Sequence, residues 1–131
     1  CIRDRMIVQY VAGASLAEMR GHANPRAAFS TTTSAGQEDH VSMGATACLN
    51  LLDTIKRFSE VLACESLIAA QALELNEHKS SPYVESLRRL IANTCQPLTG
   101  DRSTSDDLIS IANSIHDCSW ISKIEAECGM L

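Results

Sequence analysis

Three observations predict an all-α fold for this chain, with a long central helix and shorter flanking helices that form part of a larger bundle. Aromatic residues are few: Tyr10, Phe29, Phe58, Tyr83 and Trp120. The core must therefore be built from Leu, Ile, Val, Met and many Ala. Ala and Leu are strong helix formers, and Ala lets helices approach closely. From Met43 to Glu77 there is no Pro and, after Gly44, no Gly. No convincing strand alternation and no internal repeat occur anywhere.

The first element is an amphipathic helix from about Arg5 to Arg20. Met6, Ile7, Tyr10, Val11, Ala14, Leu16 and Ala17 give its three-and-four spacing. Gly21 and Pro25 stop it. Residues 22–41 have no period. Pro25, Phe29, the Ser/Thr cluster at 30–34 and Gly36 mark a loop. A loop of that length inside a compact domain is usually functional or disordered.

The dominant element is the long core helix at 42–77, with Ser42 as its expected N-cap. Leu49, Leu52, Ile55, Leu62, Ala69 and Leu73 follow helical spacing, and Val61, Leu67, Ile68 and Leu75 widen the apolar surface. A helix apolar over so much of its circumference is a buried one. At 1.5 Å per residue it spans about 50 Å, more than the rest of this chain can cover. It needs other helices, from further chain or from partner subunits.

Ser81-Pro82 opens the next helix as a cap followed by Pro at the first helical position. Val84, Leu87, Leu90 and Ile91 form its apolar side, and Gln96-Pro97 ends it. The last helix starts near Thr104, with Ser103 and Asp106 or Thr104 and Asp107 as an acidic capping box. Its stripe is Leu108, Ile111, Ala112 and Ile115, with Ile124 as an extension.

The 131 residues fit one domain, here 1–131, with an atypical start at 1–5. The chain opens at Cys1 and runs through CIRDR into an apolar segment without a cap, which reads as a cut. The net charge is −5 and no Lys/Arg block occurs, which disfavours nucleic acid as a partner. No apolar run is long enough for a membrane span, no basic amphipathic helix is present and no signal peptide is visible, so a cytoplasmic location is expected. Cysteines stand at 1, 48, 64, 95, 118 and 128 without a CxxC pair. They read as free, mostly buried thiols.

Four histidines invite a search for metal ligands. His22 and His78 lie near predicted helix ends, where His caps carbonyls, and His116 lies beside an apolar stripe. None has zinc-ligand spacing, and no metal is expected.

The concentrated polar stretch is Gln37, Glu38, Asp39 and His40, followed closely by Ser42. Such side chains suggest an acid-base set or a triad. Sequence neighbours diverge, however, and seldom converge on one reacting atom. The residues alone read as a polar turn feeding a helix N-terminus, whose partial positive charge favours carboxylates or an anion-handling site.

The stretch TSAGQEDHVSMGA (33–45) closely resembles the late signature of the aromatic amino-acid lyase family, in its histidine ammonia-lyase branch. The likeness continues through MIVQYVAGASLAE (6–18), Ala23 and Pro25, RFSEVLACESLIAAQALEL (57–75) and SSPYVESLRRLI (80–91). It covers most of the chain, in order. Two departures are evident: the family usually has Asn where this chain has Gly36, and Cys1 to Arg5 do not match.

The resemblance implies a helical bundle, a homotetramer whose sites combine several subunits, and a methylidene-imidazolone electrophile formed from Ala-Ser-Gly. That tripeptide does not occur here, since Ala12-Gly13-Ala14-Ser15 has the wrong order. The chain thus resembles a C-terminal fragment of a lyase and is expected to be inactive alone. In the parent reaction the electrophile activates the amino acid, a base removes a proton beta to the carboxylate, and ammonia leaves. Glu38 holds the position that meets the substrate side chain in histidine-type enzymes. Phenylalanine and tyrosine types carry Asn-Gln in place of Gln37-Glu38. A carboxylate accepts a hydrogen bond from imidazole N–H or holds its cation, so histidine is the favoured substrate and urocanate the product.

By that resemblance Glu38 and Gln37 are the candidate catalytic residues, with Glu38 also binding substrate. Gln37 supports the electrophile's surroundings or orients Glu38. Asp39, His40 and Ser42 hold the junction of loop and helix. Two alternatives stand beside this reading: a lyase or aminomutase for another aromatic amino acid, and a non-catalytic helical oligomerisation module.

Overall fold

A computed structural model describes residues 2–76, 80–95, 100 and 102–130, with side chains from residue 6 onward. The expectations that fall on Cys1, Glu77, His78, Gln96 and Pro97 lie outside the described residues. The described residues form five α-helices, α1 (Ile2–His22), α2 (Gly44–Glu74), α3 (Pro82–Thr94), α4 (Ser105–His116) and α5 (Ser119–Cys128). The described residues contain no strand, only an isolated bridge between Thr32 and His40. The all-α expectation is met.

The 31-residue α2 is the spine, and α1 and α4 lie along it. Helices α3 and α5 pack on each other, and each also touches the spine or α4. The α1 seam is antiparallel. His22 faces Thr54 and Asp53, with Nδ1 and Thr54 Oγ1 3.2 Å apart. Glu18 meets Arg57 Nε at 2.6 Å, and Ser15 Oγ donates to Glu60 Oε2 at 2.7 Å. Arg57 also reaches Glu60 at 3.2 Å, and these acidic partners, Glu60 foremost, raise its pKa. His22 thus points sideways into the seam, where a carbonyl cap was expected.

The seam corrects the reading of α1. Its inward line is Val8, Ala12, Ser15, Met19 and His22, spaced four and three apart, with Val8 and Ser15 buried. The predicted stripe of Met6, Ile7, Tyr10, Val11 and Leu16 is exposed, Tyr10 at 71 %. Both faces carry apolar residues, and periodicity alone does not say which one meets α2. The inward face instead carries the polar partners of α2, Ser15 bonded to Glu60 and His22 facing Asp53 and Thr54.

The core gathers Val8, Ala63, Cys64, Leu67, Ile91, Cys95, Ile111 and Trp120. Burial raises the pKa of the Cys64 thiol. None of the five described cysteines forms a disulfide, but only Cys64 and Cys95 are buried; Cys48 and Cys118 are exposed, contrary to the expected pattern. The first turns of α2 extend past the end of α1. There Leu49, Leu51 and Leu52 are each about three-fifths exposed, as expected for a spine this chain cannot cover alone.

Local signals explain most boundaries. Ser81 accepts from the Val84 N–H at 3.4 Å, with Pro82 at the first helical position. The capping box expected before α4 is absent: Thr104 holds the cap position without a side-chain bond, the Ser103 hydroxyl accepts from Ser105 N–H, and Asp107 pairs with Arg102 at 2.6 Å. Cys118 adopts φ 57° and splits the predicted last helix into α4 and α5. Helix α5 is then fastened to α3 by Glu127, which accepts from Ser86 Oγ at 2.5 Å and from Arg89 at 2.6 Å.

Between α1 and α2 the chain makes a short 3₁₀ turn at Arg26–Phe29 and a second at Ser34–Gly36. The loop closes at its base: the Val41 N–H donates to the Thr31 carbonyl at 3.0 Å and Ser30 Oγ to the Val41 carbonyl at 2.6 Å. At its tip three consecutive residues are left-handed, Ser34 (φ 52°), Ala35 (φ 55°) and Gly36 (φ 81°). Gly and Asn are the residues that visit this region most readily. Gly36 therefore suits the positive φ found there.

Two outcomes test this architecture. Ile111→Ala should lower stability by about 2–5 kcal/mol in urea unfolding, whereas Ile109→Ala, on the exposed face of α4, should change it little. Gly36→Asn should preserve amide protection at Glu38, while Gly36→Val should lose it, because a β-branched residue is costly at positive φ.

Candidate functional site

The left-handed turn determines where the polar stretch points. Thr33 is extended, and its carbonyl accepts the N–H of Gly36 at 3.1 Å and that of Glu38 at 3.4 Å. Gln37 N–H donates to the Ser34 carbonyl at 3.2 Å. The chain therefore curls so that residues 33 and 38 lie side by side. Thr33 Oγ1 donates to Glu38 Oε2 at 2.5 Å. A hydroxyl bonded to a carboxylate in this range is a charge-assisted bond.

Glu38 is fully exposed, and its pKa is held below the usual carboxylate value by the Thr33 hydroxyl first and the Ser34 hydroxyl second. Both partners are neutral. They favour the ionised form without cancelling its charge. The carboxylate stands at the loop tip as an anionic acceptor.

The other expected residues occupy distinct places. Gln37 is exposed beside Glu38. His40 belongs to the loop base through its bridge to Thr32, and the exposed Asp39 lies between it and Glu38. Ser42 is not the N-cap; Met43 holds that position without a side-chain bond, and α2 starts at Gly44. The Ser42 hydroxyl instead accepts from the Gly44 N–H at 3.4 Å. The structure thus joins Glu38 to Thr33 and Ser34, two residues the sequence reading quoted but gave no role. A Thr-Ser pair just before a glycine turn and a carboxylate was the available signal, since hydroxyl residues bond locally in turns.

A groove of about 740 Å³ opens elsewhere, between α1, α2 and α4, lined by Val11, Glu60, Cys64, Leu108 and His116 among others. No loop residue lines it, so it is separate from the polar tip. No described helix is long and apolar enough to cross a membrane. No described cluster of three or more His, Cys, Asp or Glu could hold a metal ion.

The stretch Ala12-Gly13-Ala14-Ser15 lies in the middle of α1, with Ser15 buried and bonded to Glu60. Backbone cyclisation needs a tight turn, which a helix interior does not offer. These residues do not fit an electrophile-forming tripeptide.

Comparison with known proteins places this geometry in context. The family profile described as aromatic amino acid lyase matches residues 4–93. The histidine ammonia-lyase of Symbiobacterium thermophilum is 37% identical over 127 residues, covering 96% of this chain and 25% of that protein. A probable histidine ammonia-lyase of Thermoplasma acidophilum is 37% identical over 119 residues, covering 91% of this chain and 24% of that protein. The crystal structure of histidine ammonia-lyase from Trypanosoma cruzi superposes with a TM-score of 0.84 at 25% identity, over 93% of this chain and 24% of that one. The chain spans about a quarter of the length of these relatives. With a matching profile over most of its residues and a shared helical fold, the chain belongs to the aromatic amino acid lyase family.

Proposed function

We propose that this chain is the C-terminal part of an ammonia-lyase that converts L-histidine to urocanate and ammonia. The observation that carries the reading is Glu38, an exposed carboxylate kept ionised by neutral hydroxyls at the tip of a closed loop. An imidazole N–H needs an acceptor, and an imidazolium needs an anion; Glu38 serves both. Gln37, beside it, orients Glu38 or supports the surroundings of the electrophile. Asp39, His40 and Ser42 hold the loop against the start of α2.

The methylidene-imidazolone of this family supplies an electrophile that activates the substrate amine. In our reading it comes from further lyase chain, and the 131 residues alone are inactive. Within the assembled site the loop 22–41 contributes recognition. Glu38 holds the ring of the substrate, and the closed loop base limits how far that carboxylate can stray.

The exposed leucines of α2 support an assembly in which several helices cover the spine, as in a homotetramer. A cytoplasmic location accords with the same reading. These exposed leucines also favour a second function, a helical oligomerisation module without catalysis. A lyase or aminomutase for another aromatic amino acid is a weaker alternative, because a hydrocarbon ring offers Glu38 no N–H.

The test uses the assembled enzyme, with the electrophile-bearing part restored. Wild type should release ammonia from histidine in preference to phenylalanine and tyrosine. Glu38→Ala should lower kcat/KM for histidine about ten- to a hundredfold, the range for losing a hydrogen bond to a charged group, with helix content unchanged. Turnover untouched by Glu38→Ala would reject the assigned role. Absence of turnover in the restored wild type would favour the oligomerisation module.

A further inference from the structure

We infer that Thr33 is a positioning residue for Glu38: its hydroxyl, set beside the carboxylate by the left-handed turn at 34–36, fixes which way the acceptor faces. The proposal rests on the reading of Glu38 as the group that meets the substrate ring, and assigns a role to a residue outside the polar quartet.

The argument begins with a division of labour inside Thr33. Its carbonyl closes the turn, accepting from Gly36 and Glu38 N–H. Its hydroxyl makes the 2.5 Å bond to Glu38 Oε2. Main-chain closure thus does not need the hydroxyl, which is left to act on the carboxylate. The β-branched side chain adds stiffness, since Thr has restricted χ1 choices. A flexible Glu on an exposed loop samples several rotamers, and one strong bond from a stiff donor selects among them.

Backbone strain points the same way. Ser34 and Ala35 hold positive φ without being Gly or Asn. Left-handed residues of this kind are sterically disfavoured, because Cβ crowds the following carbonyl. Such strain persists only where the surroundings fix it. Here the two N–H bonds to the Thr33 carbonyl and the hydroxyl bond to Glu38 all depend on that curl.

The choice of donor also matters. A cation in place of Thr33 would pair with Glu38 and compete with an imidazolium. A hydroxyl orients the carboxylate and leaves its charge available. Ser34 adds a second neutral hydroxyl, and Asp39 and His40 are the ionisable neighbours along the chain.

The experiment compares wild type, Thr33→Val and Thr33→Ser. Val keeps the branched shape and removes the donor; Ser keeps the donor. In the assembled enzyme, carboxyl-detected NMR on selectively labelled Glu follows the titration of Glu38, assigned through Glu38→Gln. Thr33→Val should raise the Glu38 midpoint towards the ordinary carboxylate value, and Thr33→Ser should restore most of the depression. Amide protection at residues 36 and 38 should stay the same in all three. In the assembled enzyme, Thr33→Val should lower kcat/KM for histidine about tenfold, as for one charge-assisted bond, with Thr33→Ser recovering most of it.

An unchanged Glu38 midpoint in Thr33→Val would overturn the proposal. Equal damage from Val and Ser would also overturn it, because the effect would then not follow the hydroxyl. A shifted midpoint in a protein that does not turn over histidine would uphold the coupling of Thr33 to Glu38 and reject the histidine-lyase reading alone.

Discussion

The antiparallel seam between α1 and α2 depends on one guanidinium. Arg57 projects from α2 and meets Glu18 of α1 while also bonding Glu60, which in turn accepts from the buried Ser15. Glu18 is half exposed, so the ion pair adds little to stability. Its main consequence is register. Sliding α1 by one turn would separate Arg57 from Glu18 and Ser15 from Glu60 together. With register fixed, His22 ends α1 beside Asp53 and Thr54. The loop must then travel from that point to Gly44, and its entry and exit are set by the same spine.

The two ends of that spine are treated differently. Towards its C-terminal half α2 is enclosed, with Ala63, Cys64, Leu67 and Ala70 buried against α1, α4 and α3. Small residues at 63 and 70 bring neighbouring helices close. Towards its start the helix outruns α1, and leucines face outward. The polar loop leads directly into this uncovered end. Polar loop side chains and unburied apolar surface thus lie on the same stretch of backbone.

Helix existence was legible in the residues; helix contacts were less so. The long Pro-free run, the Ser81-Pro82 start and the glycine turn at 36 each rest on a local backbone preference, which a sequence displays directly. The inward face of α1 was misread because Met6, Ile7 and Tyr10 look like core while Ala12 and Ser15 look like filler. What decides between them is the set of polar partners on α2, which lies far away in sequence. The break at Cys118 was hidden for a related reason: no Gly or Pro marks it, and the left-handed residue there is imposed by the packing of α5 on α3 and α4. At the site, the family likeness singled out Gln37 and Glu38, but no spacing rule pairs residue 33 with residue 38. That pairing exists only because three successive dihedrals turn left.

The loop also closes on its own main chain, through Val41 with Thr31 and through Thr33 with Gly36 and Glu38. Its shape is therefore written largely in backbone bonds, and the side chains at 37 and 38 contribute little to keeping it. Such a separation leaves the tip free to vary. The side chains at 37 and 38 can be exchanged while the main-chain bonds that set the loop's course stay in place.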